Sequence, residues 1–71
     1  MAEWIQTPES SHVSSIKYDG DAKEVSVQFH GGDIYRYKNV PENVWNEFLG
    51  SDSKGRFIHV ILTRQYEYEK A

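Results

Sequence analysis

The sequence predicts an α+β fold, a three-stranded antiparallel β-meander packed against one to two short C-terminal helices. Three observations predict it. Residues 24–38 alternate apolar and polar side chains on either side of Gly31-Gly32. A shorter alternating run over residues 12–18 leads into Asp19-Gly20, the strongest local turn signal in the chain. Pro41 then opens a segment whose apolar residues fall on one helical stripe.

The central hairpin has a preferred register. Val25, Val27 and Phe29 alternate with Glu24, Ser26, Gln28 and His30, the period of a half-buried strand. A two-residue turn at Gly31-Gly32 would set Val27 opposite Arg36. A three-residue loop, His30-Gly31-Gly32, pairs Val27 with Tyr35 and Val25 with Tyr37 instead. It also places Gly32 where a left-handed residue is needed, at no steric cost for glycine. A slip of one residue would turn the apolar set outward, so the three-residue loop is expected.

The first strand precedes this hairpin, with Ile16 and Tyr18 on one face. Pairing Ile16 with Val27 and Tyr18 with Val25 extends the same apolar face and completes the meander. Before it, residues 1–9 form an N-terminal segment, from which Trp4 or Ile5 is expected to dock on the sheet. The domain proper is drawn over residues 10–68, and residues 69–71 form a tail.

After the third strand, Pro41 suits the first turn of a helix, where its missing N–H would have no partner. Val44, Trp45, Phe48 and Leu49 form the buried stripe of a helix over 41–49, with Gly50 at its stop. Ser53 is a candidate N-cap. Residues 53–62 predict a second short helix through Phe57, Ile58 and Ile61, although the β-branched run Ile58, Val60 and Ile61 also suits a strand. Residues 65–71 alternate aromatic and charged side chains and read as extended or frayed. The expected core is Ile16, Tyr18, Val25, Val27, Phe29, Tyr35, Tyr37, Val44, Phe48, Leu49, Phe57 and Ile61.

Composition narrows the function classes. The chain has 71 residues, so its core is small and its two Trp, five Tyr and three Phe are needed first for packing. Without cysteine there is no disulfide, thiol nucleophile or thiolate metal site. The longest apolar run, Val60-Ile61-Leu62, is far short of a membrane span. No signal peptide or presequence is expected, and the location expected is cytoplasmic. A net charge of −3 provides no global attraction for nucleic acid, which would need a local basic patch.

The order of motifs resembles the KTSC domain family, named for a segment at the C-terminus of some lysyl-tRNA synthetases and also found as short bacterial and phage proteins. The matching residues are Ser10-Ser11, Ile16, Tyr18-Asp19, Val25-x-Val27-x-Phe29, Gly32-x-x-Tyr35-x-Tyr37, Val40-Pro41-x-x-Val44, Ser53-Lys54-Gly55-Arg56-Phe57 with Ile61, and Tyr66-x-Tyr68. The resemblance covers residues 10–68. Similar sequences tend to carry Asn where this chain has Ile58, Arg where it has Leu62, and Tyr-Pro-Tyr where it has Tyr66-Glu67-Tyr68. The resemblance implies no established activity. It carries a suggested RNA association, which the apolar Ile58 and Leu62 weaken here.

Each candidate site has a bland alternative. Tyr35 and Tyr37 suit a stacking platform for bases, or the core under the helix. Arg36 and Lys38 face away from that core and would join Lys54, Arg56 and Arg64 in a phosphate-binding patch, or be an ordinary solvated face. Ser53-Lys54-Gly55-Arg56 suits a small anion-binding turn or a simple cap. His12, His30 and His59 lack ligand spacing, and no metal or cofactor is expected. Asp19, Asp21 and Asp33 read as turn residues, and Ser14 and Ser15 show neither a base nor an oxyanion site.

The function expected is a small non-catalytic interaction module that binds a protein partner, with Trp4, Ile58 and Leu62 as interface candidates. The resemblance adds a phage or prophage protein acting on a host factor. The alternative is weak RNA or single-stranded nucleic-acid binding through Arg36, Lys38, Lys54, Arg56 and Arg64. The assembly expected is a monomer or a weak homodimer, with no membrane partner.

Overall fold

The computed structural model describes residues 3–8 and 10–71. Met1, Ala2 and Glu9, part of the segment 1–9 drawn above, lie outside the described residues.

The sheet has five antiparallel strands in sequence order, two more than the three expected. They are β1 (Ile5–Gln6), β2 (Val13–Asp19), β3 (Glu24–Phe29), β4 (Ile34–Tyr37) and β5 (Tyr68–Lys70). The middle three form the predicted meander in the predicted register. Ile16 faces Val27, Tyr18 faces Val25, Val27 faces Tyr35 and Val25 faces Tyr37. A bulge between Val13 and Ser15 lets Val13 and Ile16 share the buried face.

The β3–β4 loop is the three-residue one. Phe29 N–H donates to the Asp33 carbonyl at 2.9 Å, and Gly32 N–H donates back to the Phe29 carbonyl at 2.9 Å. Gly32 has φ +95°, a conformation that L side chains rarely adopt. Gly32→Ala should therefore cost about 1–2 kcal/mol. Gly31→Ala, with open space around the added methyl, should stay within about 0.5 kcal/mol of wild type. Urea unfolding of the two variants reads the difference directly.

The edge strands were not legible as strands. β1 has only two residues, too few to show a period. It is held by Thr7, whose Oγ1 donates to the Val13 carbonyl at 2.6 Å and whose N–H donates to Ser14 O at 3.1 Å. Ile5 thereby docks opposite Ile16, as the N-terminal segment was expected to do. β5 uses the tail read as extended or frayed, pairing Tyr68 with Tyr37 and Lys70 with Tyr35. The sheet thus runs across both boundaries drawn at residues 10 and 68.

All helices lie on one face of the sheet. α1 (Glu42–Leu49) begins after Pro41, which sits at the N-cap with φ −71° and ψ 158° rather than inside the first turn. Trp45 and Phe48 are buried and Val44 packs beside them, but Leu49 is 39% exposed and leaves the expected core. It sits at the margin of the stripe on the last turn, where the chain departs at Gly50. The second helical segment exists and is longer than expected. It runs from α2 (Lys54–Phe57) through a π-helical turn (Ile58–Leu62) into α3 (Thr63–Gln65). Ser53 caps it as predicted, its hydroxyl accepting from Arg56 N–H at 3.3 Å.

The core is the layer between. Val13, Ile16, Val25, Val27 and Tyr37 from the sheet meet Val40, Trp45, Phe48, Ile58 and Leu62 from the helical side. Tyr18 stacks on Trp45 at 5.3 Å, with its hydroxyl donating to the Val40 carbonyl. Phe57 stacks on Phe48 at 5.1 Å. Phe29 and Tyr35 are half-buried against this core, and Ile61 is half-buried on the helix. Ile58 and Leu62 are 4% and 0% exposed, so two of the three residues expected at an interface are core instead. They are one turn apart and point into the sheet, while Val60 takes the exposed side.

Candidate binding cleft

The helix layer covers β3 and part of β4 but leaves β5 exposed along its length. Between the exposed strand and the C-terminal helix lies an open cleft of about 750 Å³. Its floor is aromatic, with Phe29, Tyr35, Tyr37 and Tyr68, and its wall carries Arg56, His59 and Thr63. His12 closes one end, packed over Gly55. A smaller polar hollow continues from there past Ser10, Ser11 and Asp52.

The aromatic floor is built by strand alternation. Tyr35 and Tyr37 point to the helix side because Val27 and Val25 oppose them. Tyr68 joins them as the partner of Tyr37, with ring centroids 5.2 Å from Tyr37 and 5.9 Å from Tyr35. Phe29 meets Tyr35 edge-on at 5.6 Å. The two readings of the Tyr-x-Tyr pair therefore divide between its members. Tyr37 is core, with its hydroxyl 3.3 Å from Thr63 Oγ1, and Tyr35 is half-buried on the cleft floor.

Burial pushes the Tyr37 hydroxyl above its ordinary value, with smaller contributions from Tyr68 and Tyr35 against an opposing hydrogen bond to Thr63. A folded-state pKa raised above the unfolded one gives stability that is complete below the unfolded value, about 10. That stability is lost as pH rises through the folded value. Urea midpoints should therefore fall above about pH 10, and Tyr37→Phe should flatten that fall.

The charged side chains that line the cleft are Asp33 and Arg56. Asp33 lines the cleft but is paired with Lys70, Oδ1 to Nζ 3.2 Å. Arg56 has no carboxylate partner among the described residues.

The five cations proposed as one patch are not gathered. Arg36 and Lys38 lie on the face away from the helices, both against Glu69 Oε1, at 3.1 Å and 3.4 Å. Lys54 is 8% exposed, its amino group donating to the Ser51 carbonyl at 2.8 Å and the Leu49 carbonyl at 3.2 Å. It closes the end of α1 and does not face solvent. Arg56 stands in the cleft and Arg64 is exposed on α3, across the sheet from Arg36. Trp4, the remaining interface candidate, is 37% exposed with the Lys17 ammonium 4.7 Å over its ring. His30 sits on the hairpin, Nε2 3.1 Å from the Ser10 carbonyl. The cleft roles of His12, His59 and Tyr68 were missed. Only the alternation of the tail, Tyr66 to Lys70, hinted at a strand carrying Tyr68.

The KTSC domain model matches residues 9–66. This chain belongs to the KTSC domain family. A crystal structure of a KTSC domain protein from Yersinia pestis superposes with a TM-score of 0.89 at 30% identity, covering 100% of this chain and 99% of that one. A lysine–tRNA ligase from a Nostoc species is 32% identical over 63 residues, which are 89% of this chain but 11% of the ligase. A protein of similar length from Stutzerimonas stutzeri is 38% identical over 61 residues, covering 84% of this chain and 86% of its own. The KTSC fold thus occurs both within a far longer protein and as nearly the whole of a short one. Among the described residues no helix is long and apolar enough to cross a membrane.

Proposed function

We propose that this KTSC domain is a non-catalytic recognition module that holds a short segment of a protein partner in the aromatic cleft. The observation that carries this reading is the cleft itself, about 750 Å³ with Tyr35 and Tyr68 on its floor and Arg56 on its wall. Such a volume and lining fit a few side chains of a ligand, and aromatic and arginine side chains are those that dominate binding energy at interfaces. Relatives that carry the same fold inside a ligase, or as a short protein, fit a portable binding unit better than a reaction centre. The net charge of −3 favours a protein over a polyanion.

A second reading uses the same floor. Tyr35 and Tyr68 offer faces on which single-stranded RNA bases would stack, with Arg56 beside the backbone.

One experiment separates the two. Partners are captured from bacterial lysate with and without RNase, and the recovered species is titrated into the 15N-labelled protein. A protein that survives RNase and shifts Tyr35, His59 and Tyr68 supports the leading reading. Arg56→Glu should then weaken binding about tenfold. Capture lost with RNase turns the reading to RNA, and a footprint on Arg36 and Lys38 overturns the cleft.

A further inference from the structure

We infer that the partner segment binds as an extended strand, adding to the free edge of β5 and sending alternate side chains into the cleft. The inference rests on the cleft reading and adds the conformation and chemistry of the segment. β5 hydrogen-bonds to β4 on one side only, with Lys38 N–H donating to the Glu67 carbonyl at 2.8 Å and Ala71 N–H to the Ile34 carbonyl at 2.7 Å. In an antiparallel ladder, bonding alternates along the strand. Glu67, Glu69 and Ala71 therefore turn their backbone groups toward β4, and Tyr68 and Lys70 turn theirs outward. Among the described residues no strand pairs with those outward groups.

Edge strands usually repel incoming strands with charge. On β5 that charge is already engaged. Glu69 is held by Arg36 and Lys38, and Lys70 is held by Asp33. The opposite edge, β1, has only two residues.

The side chains of Tyr68 and Lys70 face the helix side, as partners of Tyr37 and Tyr35. Residues of an added strand opposite them would face the same side and reach the cleft. One would pack on the exposed Tyr68 ring, and the residue two positions away would lie beside Lys70. Because Lys70 is already held by Asp33 and Arg56 on the far wall has no carboxylate partner among the described residues, the fitting pattern is an apolar side chain at i and, at i+2, a carboxylate directed at Arg56.

The test uses a yeast-displayed random dodecapeptide library as the probe. Enriched peptides are synthesised and titrated into the 15N-labelled protein, and amide hydrogen exchange is read at saturation. The expected result is enrichment of the apolar-x-acidic pattern, with exchange at Tyr68 and Lys70 slowed at least tenfold. Lys70→Pro removes an outward N–H but no β4–β5 bond, so it should weaken binding at least tenfold. Lys70→Ala, which keeps the N–H, should weaken it less. Should Lys70→Pro loosen β5 itself, exchange in the wild-type protein still decides. Peptides that shift Tyr35, His59 and Thr63 while Tyr68 and Lys70 exchange as before would overturn strand addition and leave the cleft reading standing. An unenriched library, or a cleft that answers only to single-stranded RNA, would overturn both.

Discussion

Leu62→Ala is expected to unfold much of the protein at room temperature. Leu62 is fully buried, packed in the cluster that also holds Ile58, Phe48 and Tyr37. Removing such a side chain costs about 2–5 kcal/mol, from lost transfer energy and the cavity left behind. Domains of this size rarely hold more than about 3–5 kcal/mol in total, so the loss rivals the whole stability. Urea unfolding followed by far-UV circular dichroism measures it. The contrast with an interface residue is sharp, because an interface leucine would give a folded protein that fails to bind. An unchanged urea midpoint for Leu62→Ala would return Leu62 to the surface.

Lys54→Met should be the next largest effect, although it exchanges a cation for an apolar side chain of similar length. The Lys54 ammonium is nearly buried and donates to two carbonyls, Leu49 O and Ser51 O, where α1 ends. Hydrogen bonds from a charged group contribute about 1.5–3 kcal/mol. Methionine keeps the packing of the stem but leaves both carbonyls without that donor. A loss near 2 kcal/mol corresponds to about 8–16 °C in thermal midpoint for a domain of this size, readable by differential scanning calorimetry. A solvent-facing phosphate contact would behave differently, since its removal would weaken nucleic-acid binding and leave the midpoint alone.

Lys54 and Leu62 mark where reading the chain reached its limit. Lysine is almost never buried without partners, so a surface role is the natural expectation. What draws Lys54 inward is a local pair of carbonyls, Leu49 O and Ser51 O, five and three residues back across the turn that follows α1, a contact that carries no periodicity to read. Leu62 lies in the segment whose residues Ile58, Val60 and Ile61 read as helix or strand alike, so its buried side had no periodic signal of its own. The π-helical turn over Ile58–Leu62 is invisible to a 3.6-residue periodicity, yet Ile58 and Leu62 both face the core within it.

The cleft was half legible. Tyr35 and Tyr37 were placed on the helix-facing side from register alone, and that placement is what makes them its floor. The segment with Tyr68 was read only as extended or frayed, because three residues carry too little pattern to announce a strand. His12 and His59 lie 47 positions apart in the chain, so nothing local brings them together.

The sequence by itself determined the meander, its register, the three-residue loop at Gly32, α1 and the Ser53 cap. Each rests on alternation or turn chemistry among residues a few positions apart, where steric and hydrogen-bonding preferences act without distant partners. Tertiary packing decided which side of the C-terminal helix is buried and that the tail returns to β4 as a fifth strand. Those outcomes depend on surfaces from remote segments meeting, and burial energy, which is non-directional, is settled only when they do.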